Sequence, residues 1–305
     1  MPRAYEFVQL DVFARTPLAG NPLAVFADAR GLSDSEMQAL AREMNLSETT
    51  FILSRDAATE AREGKKVRIF TVSEELPFAG HPTLGTALYL YAIQRAAHRQ
   101  ISDEIALDLK VGKIPVHFTG GSENAGRERV DGQVFGEMRQ RDPEFGTILS
   151  REDVAAVVGV KVDEIPSEWP VQVISTGLPF AIVPFHSPQT LANLKFSFAQ
   201  AAQFLEGTGA RFFYFLCPKR RESRLEAGAR MFFYGGEDPA TGSAAGCAAS
   251  WMVRYGVARS DEQVVIRQGV EITCTGHSEA ISSTPTPITA ATSSRECIVP
   301  NSGSR

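Results

Sequence analysis

A helical segment with almost no polar face limits how this chain can fold. Residues 81–95 (HPTLGTALYLYAIQR) follow a glycine turn and are apolar on nearly all sides. A helix on a protein surface would show one polar face, so we expect this helix to be enclosed by a domain of its own. The order of strand, glycine-rich turn and buried helix occurs again at residues 235–254, about half the chain later. The sequence therefore predicts two halves of similar architecture, although the sequence identity between them is negligible.

Length and charge exclude several classes of protein. The 305 residues are enough for two domains with a large core, which needs no disulfide or structural metal. The chain has 31 Lys and Arg against 36 Asp and Glu, a net charge of −5, which argues against a nucleic-acid partner. No apolar stretch approaches the roughly 20 residues that span a bilayer, and no leader pattern precedes the first strand. We therefore expect a cytoplasmic protein with no membrane partner.

The cysteines predict neither a disulfide framework nor a zinc site. They are scattered through the chain and form no Cys-x-x-Cys pair, so we expect free thiols and no metal: Cys217, Cys247, Cys274 and Cys297.

The chain is expected to divide into two lobes and a tail. Alternating strand and helix patterns place an N-terminal lobe at residues 1–122 and a C-terminal lobe at residues 123–274, with a polar, glycine-rich connection at 119–129. Residues 275–305 are rich in Ser and Thr and have weak hydrophobic periodicity. We expect this tail to be poorly ordered, or to add one edge strand near residues 298–299.

Glu48 is the first candidate catalytic residue. A capped helix ends near Met44, and Glu48 follows it at the entrance of an apolar strand. Desolvation at such a position raises the pKa of a carboxyl group towards the range that suits proton transfer. The alternative is a solvated glutamate at a loop tip.

His81 is the second candidate. A turn at Gly80 delivers His81 and Pro82 to the first positions of the apolar helix, where unpaired backbone N–H groups and the helix dipole favour an anion. A histidine at this position tends to stay neutral. The alternative is a histidine that only caps the helix.

A third candidate segment precedes the second apolar helix. Asp238 stands just before Pro239, and Thr241, Gly242 and Ser243 follow at the helix start. Backbone N–H groups and hydroxyls there could bind a ligand carboxylate. Asp238 could also be no more than an N-cap. If the halves are pseudo-symmetric, the two helix starts would face each other, with His81 opposite Asp238 and Glu48 between them.

At these residues the sequence resembles the PhzF-like (phenazine biosynthesis) family. The matching segments cover residues 5–273 in order: Asp11-Val12-Phe13, Gly20-Asn21-Pro22, Glu43 to Thr49, Arg68-Ile69-Phe70-Thr71, Glu75 to Pro82, Arg230-Met231-Phe232 and Glu237 to Ala244. The resemblance implies a diaminopimelate epimerase-like α+β fold with two pseudo-symmetric lobes, each a curled, mostly antiparallel sheet around a central helix. It also implies a homodimer and no metal or organic cofactor.

The resemblance further implies roles for the candidate residues. The glutamate matching Glu48 shuttles the proton, His81 and Asp238 match the residues that hold and polarise the substrate, and Gly80, Gly242 and Ser243 match residues that help to bind it. The type member is an isomerase of trans-2,3-dihydro-3-hydroxyanthranilate. We therefore expect an isomerase that moves a proton on a small cyclic carboxylate by acid/base catalysis.

Two alternatives remain open from the sequence. One is an amino-acid racemase or epimerase on the same fold, which would use two opposed thiols at the helix starts. The segments Ala79-Gly80-His81 and Thr241-Gly242-Ser243 occupy those places, and Cys247 lies about one turn into the second helix. The other alternative is a ligand-binding homologue that has lost turnover.

Overall fold

The computed structural model describes most of the chain as two compact units. The described residues are 3–13, 20–97, 102–119, 134–221, 224–234, 236–260, 262–272, 276–281 and 289–294. One unit comprises Met1–Arg139 and Thr292–Arg305, and the other comprises Gln140–Ala291. The predicted boundary between residues 122 and 123 lies outside the described residues, and the chain passes between the units at Arg139.

The first unit is a mostly antiparallel sheet around one central helix, α3. Its elements are β1 (Phe7–Val12), β2 (Asn21–Phe26), α1 (Asp34–Met44), β3 (Glu48–Leu53), α2 (Ala57–Glu63), β4 (Lys65–Phe70), β5 (Glu75–Leu76), α3 (Gly80–Ala96), β6 (Glu104–Leu109), β7 (Gly112–Thr119) and β8 (Val134–Arg139). The strand pairs β2–β3 and β4–β6 are parallel, whereas β1–β2, β3–β4, β6–β7 and β7–β8 are antiparallel. Because α3 contacts β1, β2, β3, β6 and β8, the sheet curls around it.

The second unit repeats this arrangement around α7. Its elements are β9 (Glu144–Leu149), α4 (Arg151–Val158), β10 (Val171–Ser175), β11 (Pro179–Pro184), α5 (Pro188–Ala192), α6 (Phe198–Leu205), β12 (Phe212–Arg221), β13 (Arg224–Phe233), β14 (Gly236–Asp238), α7 (Gly242–Arg254), β15 (Gln263–Gln268) and β16 (Gly276–Ile281), and β17 (Thr289–Ser294) crosses into the first unit. Here β11–β12 and β13–β15 are the parallel pairs. Strands β10, β11, β12 and β16 contact α7.

The two units therefore share one topology. In each, helical connections join the first parallel pair, and a short strand followed by the central helix joins the second pair. Two neighbouring parallel strands need a crossover connection between them. Both units make these connections with the same elements in the same order. The predicted fold class, two pseudo-symmetric α+β lobes with a central helix each, is confirmed.

Both central helices are enclosed as their apolar sequences predict. The first nine residues of α3 and the first eleven of α7 are buried without interruption. Close approach to the sheet requires a glycine within α3, because a Cβ atom on Gly85 would lie 2.6 Å from Leu23 Cδ2 and 2.7 Å from Val12 Cγ2. A larger residue would push the helix away from β1 and β2.

One bidentate ion pair holds the short strand in front of each central helix. Arg68 of β4 donates Nε and Nη2 to both carboxylate oxygens of Glu75, at 2.8 and 2.6 Å. Arg230 of β13 makes the same two bonds to Glu237, at 2.9 and 2.6 Å. Bidentate pairs of this kind fix geometry as well as add energy. Both halves therefore contain the same Arg–Glu motif, although their sequence identity is negligible. The motif joins β5 to β4 and β14 to β13.

Two described segments of the tail are strands. Strand β16 pairs antiparallel with β15, from Gln263 opposite Ile281 to Gln268 opposite Gly276, and β17 is also a strand. Backbone hydrogen bonds to β15 can hold a segment as a strand even when its own hydrophobic periodicity is weak. The predicted edge strand at residues 298–299 lies outside the described residues.

Candidate active site

Glu48 is the first residue of β3 and is largely withdrawn from water. The preceding helix, α1, begins with a capping box at Ser33 and ends at Asn45, whose left-handed φ of 51° turns the chain towards the sheet. The Glu48 side chain is 13% exposed, and the neighbouring Thr49 and Thr50 are fully buried. Glu48 is therefore not a solvated loop-tip residue, and its carboxyl group lies where desolvation can act on it.

The imidazole of His81 lies against this carboxyl group. His81 is the second residue of α3 and is 3% exposed, and its Nδ1 is 3.3 Å from Glu48 Oε2 and 3.4 Å from Asn21 Nδ2. The N-cap of α3 is Ala79, and no side chain caps the helix. His81 is therefore not a capping histidine, and the structure brings two of the candidate residues into contact within the first unit.

Burial keeps the His81 ring neutral. Desolvation lowers the pKa of His81 to about 3, and a contact with the backbone of Pro22 opposes this shift only in part. At neutral pH the 3.3 Å contact with Glu48 is therefore not an ion pair. Among the described residues, Nε2 of the His81 ring has no hydrogen-bond partner.

The depressed pKa of His81 predicts a loss of stability in acid. The unfolded chain binds a proton near pH 6.5, whereas the folded chain binds it only near pH 3. In this window the unfolded state holds more protons, so the free energy of unfolding falls as the pH is lowered from about 6.5 to about 3. Urea denaturation of the wild type and of His81→Gln across this pH range isolates the contribution of His81 to the pH dependence of stability. The variant should lack this contribution. An identical pH dependence in the two proteins would contradict a buried neutral imidazole.

Asp238 is held in the second unit by Thr241. Asp238 is the last residue of β14, opposite Met231 of β13, and it is 4% exposed. The N-cap of α7 is Thr241, and the Thr241 hydroxyl donates a hydrogen bond to Asp238 Oδ2. Asp238 is therefore not the helix N-cap. Gly235, at the start of the predicted segment, lies outside the described residues.

A buried glutamine that the sequence did not single out contacts this pair. Gln268, at the end of β15, donates Nε2 to the Asp238 carbonyl oxygen at 2.7 Å and to Thr241 Oγ1 at 2.8 Å. Its Oε1 accepts from the Thr241 N–H at 3.3 Å and from the Tyr214 hydroxyl at 3.1 Å. The polar groups of Thr241 are thus bonded to Asp238 and Gln268, whereas we predicted that Thr241 would bind the substrate directly.

Polar side chains contact the carbonyl oxygens in the first turn of α7. Gln140 donates Nε2 to the Gly242 carbonyl oxygen at 2.8 Å. Thr176 Oγ1 donates to Gln140 Oε1 at 2.5 Å and lies 3.4 Å from the Ser243 carbonyl oxygen. The N–H groups at a helix start point in the opposite direction from its carbonyl groups. That Gly242 and Ser243 of α7 and Gly80 of α3 bind an anion through their N–H groups stays a prediction.

Comparisons with known proteins place this site in a family. A family model described as phenazine biosynthesis-like protein matches residues 10–287. The chain belongs to this family, the PhzF family of isomerases. The trans-2,3-dihydro-3-hydroxyanthranilate isomerase of Pseudomonas aeruginosa is 35% identical over 277 residues, which cover 88% of this chain and 87% of that protein.

Solved structures show the same fold. One, described as a predicted epimerase from Pseudomonas aeruginosa, has a TM-score of 0.81 at 30% identity and covers 99% of this chain and 100% of its own. A PhzF family protein from Bacillus anthracis has a TM-score of 0.77 at 24% identity, with 96% and 97% covered. At 24% identity, the Bacillus anthracis structure supports the fold alone. No helix among the described residues is long and apolar enough to cross a membrane.

The cysteines of this PhzF family member do not support two-thiol racemase chemistry. Cys217 and Cys247 are buried free thiols, while Cys274 and Cys297 lie outside the described residues. Burial raises the pKa of Cys247 to about 11, against the opposing hydrogen bond with Thr176, so the thiol stays protonated at neutral pH. The two helix starts carry His81 and Ser243 in place of a reactive thiol pair.

Proposed function

We propose that this protein is a cofactor-independent isomerase that shifts a proton on a small cyclic carboxylate similar to trans-2,3-dihydro-3-hydroxyanthranilate. The observation that carries the proposal is the buried contact between the Glu48 carboxyl group and the neutral His81 ring, at 3.3 Å. A single withdrawn carboxyl group can act first as base and then as acid. The curated relative that is 35% identical carries the name of this activity.

The proposed reaction moves one proton between two ring carbons on the same face. The Glu48 carboxylate takes the proton from the first carbon, and the electron pair of that C–H bond moves into the ring. The resulting carboxyl group returns the proton to the second carbon, which gives an enol that becomes a ketone. His81 is neutral at the working pH because its pKa is about 3. In this neutral form it orients Glu48 and the substrate.

The remaining residues would bind the substrate. Backbone N–H groups of Gly80, Gly242 and Ser243 suit a carboxylate, since helix starts attract anions. Asp238 would accept a hydrogen bond from a donor group of the same molecule. We propose that the protein works as a homodimer, as the family resemblance implies.

Turnover of the named compound tests the proposal. Wild-type protein is mixed with trans-2,3-dihydro-3-hydroxyanthranilate and the ring protons are followed by NMR, with a panel of related cyclic carboxylates assayed in parallel. We expect the proton to appear on a second ring carbon without added metal or cofactor. Thermal stabilisation by these ligands without any conversion would support instead a binding protein that has lost turnover.

A further inference from the structure

The side chain of Gln268 is the centre of a closed hydrogen-bond network beside Asp238. It is 1% exposed, and all four of its amide hydrogen-bond positions are used by Asp238, Thr241 and Tyr214. A buried amide that is fully bonded in this way is rigid, because any rotation would leave polar groups unsatisfied. The proposed reaction has so far assigned no role to this residue.

Two backbone groups determine which way the amide points. The Asp238 carbonyl oxygen can only accept, so it must face the NH2 group of Gln268 at 2.7 Å. The Thr241 N–H can only donate, so it must face Oε1. The orientation of the Gln268 amide therefore follows from the chemistry of its neighbours and does not depend on assigning similar N and O atoms.

This orientation determines where the Thr241 proton lies. Thr241 Oγ1 accepts the second N–H of Gln268 at 2.8 Å, so one of its lone pairs is occupied. Its own proton is donated to Asp238 Oδ2. A hydrogen bond donated to a carboxyl oxygen favours the ionised form of that group.

We propose that Gln268 is a positioning residue that acts through Thr241 to hold Asp238 as an ionised, correctly oriented acceptor for the substrate. The assignment of Asp238 to substrate contact rests on the proposed function. The relay from Gln268 to Thr241 to Asp238 is formed by the protein's own groups.

The elements next to Asp238 carry other ionisable groups. They include Tyr214 of β12, Arg230 of β13, Glu237 of β14, Arg267 of β15 and Cys247 of α7. Burial, with the nearby charge of Asp238, raises the pKa of Tyr214, and burial raises that of Cys247 to about 11, so both stay neutral. Arg230 is bonded to both oxygens of Glu237. Arg267 pairs with Glu226 at 3.4 Å.

Titration of Asp238 in the full-length protein tests the relay. The pKa of Asp238 is measured by NMR of protein labelled with 13C-aspartate, and the signal is assigned by its absence from Asp238→Asn. We expect Gln268→Met, which keeps the size but removes the donors, to raise the pKa of Asp238 by at least about 1. Gln172 offers a matched control, since it is also buried, accepts from the Tyr255 hydroxyl at 2.6 Å and donates to the Gly146 carbonyl at 2.9 Å.

Thr241 variants keep the test decisive if Gln268→Met does not fold. Thr241→Val should raise the pKa of Asp238 in the same direction, Thr241→Ser should leave it near the wild-type value, and the Gln268→Met, Thr241→Val double variant should show no more than the larger single shift. An unchanged pKa in folded Gln268→Met or in Thr241→Val would overturn the proposal, as would an equal shift in Gln172→Met.

The titration also separates this inference from the proposed function. A shifted pKa in a protein that isomerises no cyclic carboxylate would support the relay and contradict the function. In an active enzyme, Gln268→Met should lower kcat/KM and move its acidic limb to higher pH, because Asp238 must be ionised to accept from the substrate. Turnover with no change in the Asp238 titration would support the function and overturn the relay.

Discussion

Replacement of Glu48 by Gln is expected to lower turnover by about 1,000-fold or more, because one carboxyl group performs both proton transfers. The amide has nearly the same size and can still contact His81, so the affinity for the substrate should change little. The expected pattern is a large loss in kcat with a nearly unchanged dissociation constant. Stopped-flow turnover and calorimetric titration with an unreactive cyclic carboxylate measure the two quantities separately.

An exposed glutamate provides the control for this variant. Glu43 lies on the solvent side of α1, five residues before Glu48, and Glu43→Gln removes the same charge from the same region. We expect wild-type turnover from Glu43→Gln. If Glu48→Gln also retained activity within about tenfold of the wild type, the proton would have to move through another group, and the proposed role of Glu48 would be wrong.

The second large effect is expected on stability. Arg230→Met should lower the free energy of unfolding by about 3–5 kcal/mol, because it leaves the Glu237 carboxylate buried without its counter-ion. Both side chains are 8% exposed. Arg230 Nη1 also donates to three carbonyl oxygens at the end of and just after α5, those of Leu191, Ala192 and Leu194. Chemical denaturation followed by circular dichroism measures the loss.

The equivalent arginine of the first unit is the matched control. Arg68→Met removes the same bidentate pair, but Glu75 keeps Lys110 as a partner at 2.6 Å. We therefore expect a smaller loss, about 1–2 kcal/mol. Equal losses in the two variants, or no loss in Arg230→Met, would show that the buried pair in front of α7 does not stabilise the second unit in the way described.

The sequence predicted the elements whose signals are local. The apolar pattern of residues 81–95 located α3 to within one residue at each end, and the second apolar helix, predicted to end at residue 254, is α7, which ends there. Because these helices are apolar on nearly all sides, their burial followed directly from composition. Strand β16 of the tail was not predicted because pairing with β15, and not its own sequence pattern, makes it a strand.

The missed site residues are far from their partners in sequence. Asn21 lies 60 residues before His81, and Gln268 lies 27 residues after Thr241. No spacing rule connects such residues, since they meet only when strands β2 and β15 are placed beside the central helices. Phe13 was quoted only as part of a family motif, yet it is buried with a φ of 64°, and its ring lies 6.5 Å from that of His81.

The candidate residues were found by combining two weak local patterns with a family resemblance. Glycine turns before apolar helices pointed to His81 and Ser243, and the strand entrance pointed to Glu48. The structure adds the contact of Glu48 with His81 and that of Asp238 with Thr241. The duplicated Arg–Glu motif could have been found by aligning the two segments that precede the central helices.

Hydrogen exchange between substrate and solvent tests the central role of Glu48 most directly. Wild-type protein and Glu48→Gln are incubated in heavy water with trans-2,3-dihydro-3-hydroxyanthranilate, or with the cyclic carboxylate that the wild type converts fastest. Carbon-bound deuterium is then measured by NMR and mass spectrometry. An O–H proton on the Glu48 carboxyl group exchanges with solvent before it is returned to carbon. We therefore predict deuterium on the newly protonated ring carbon with the wild type and none with Glu48→Gln, although the variant still binds the ligand. Equal deuterium incorporation by the two proteins would contradict a proton shuttle at Glu48.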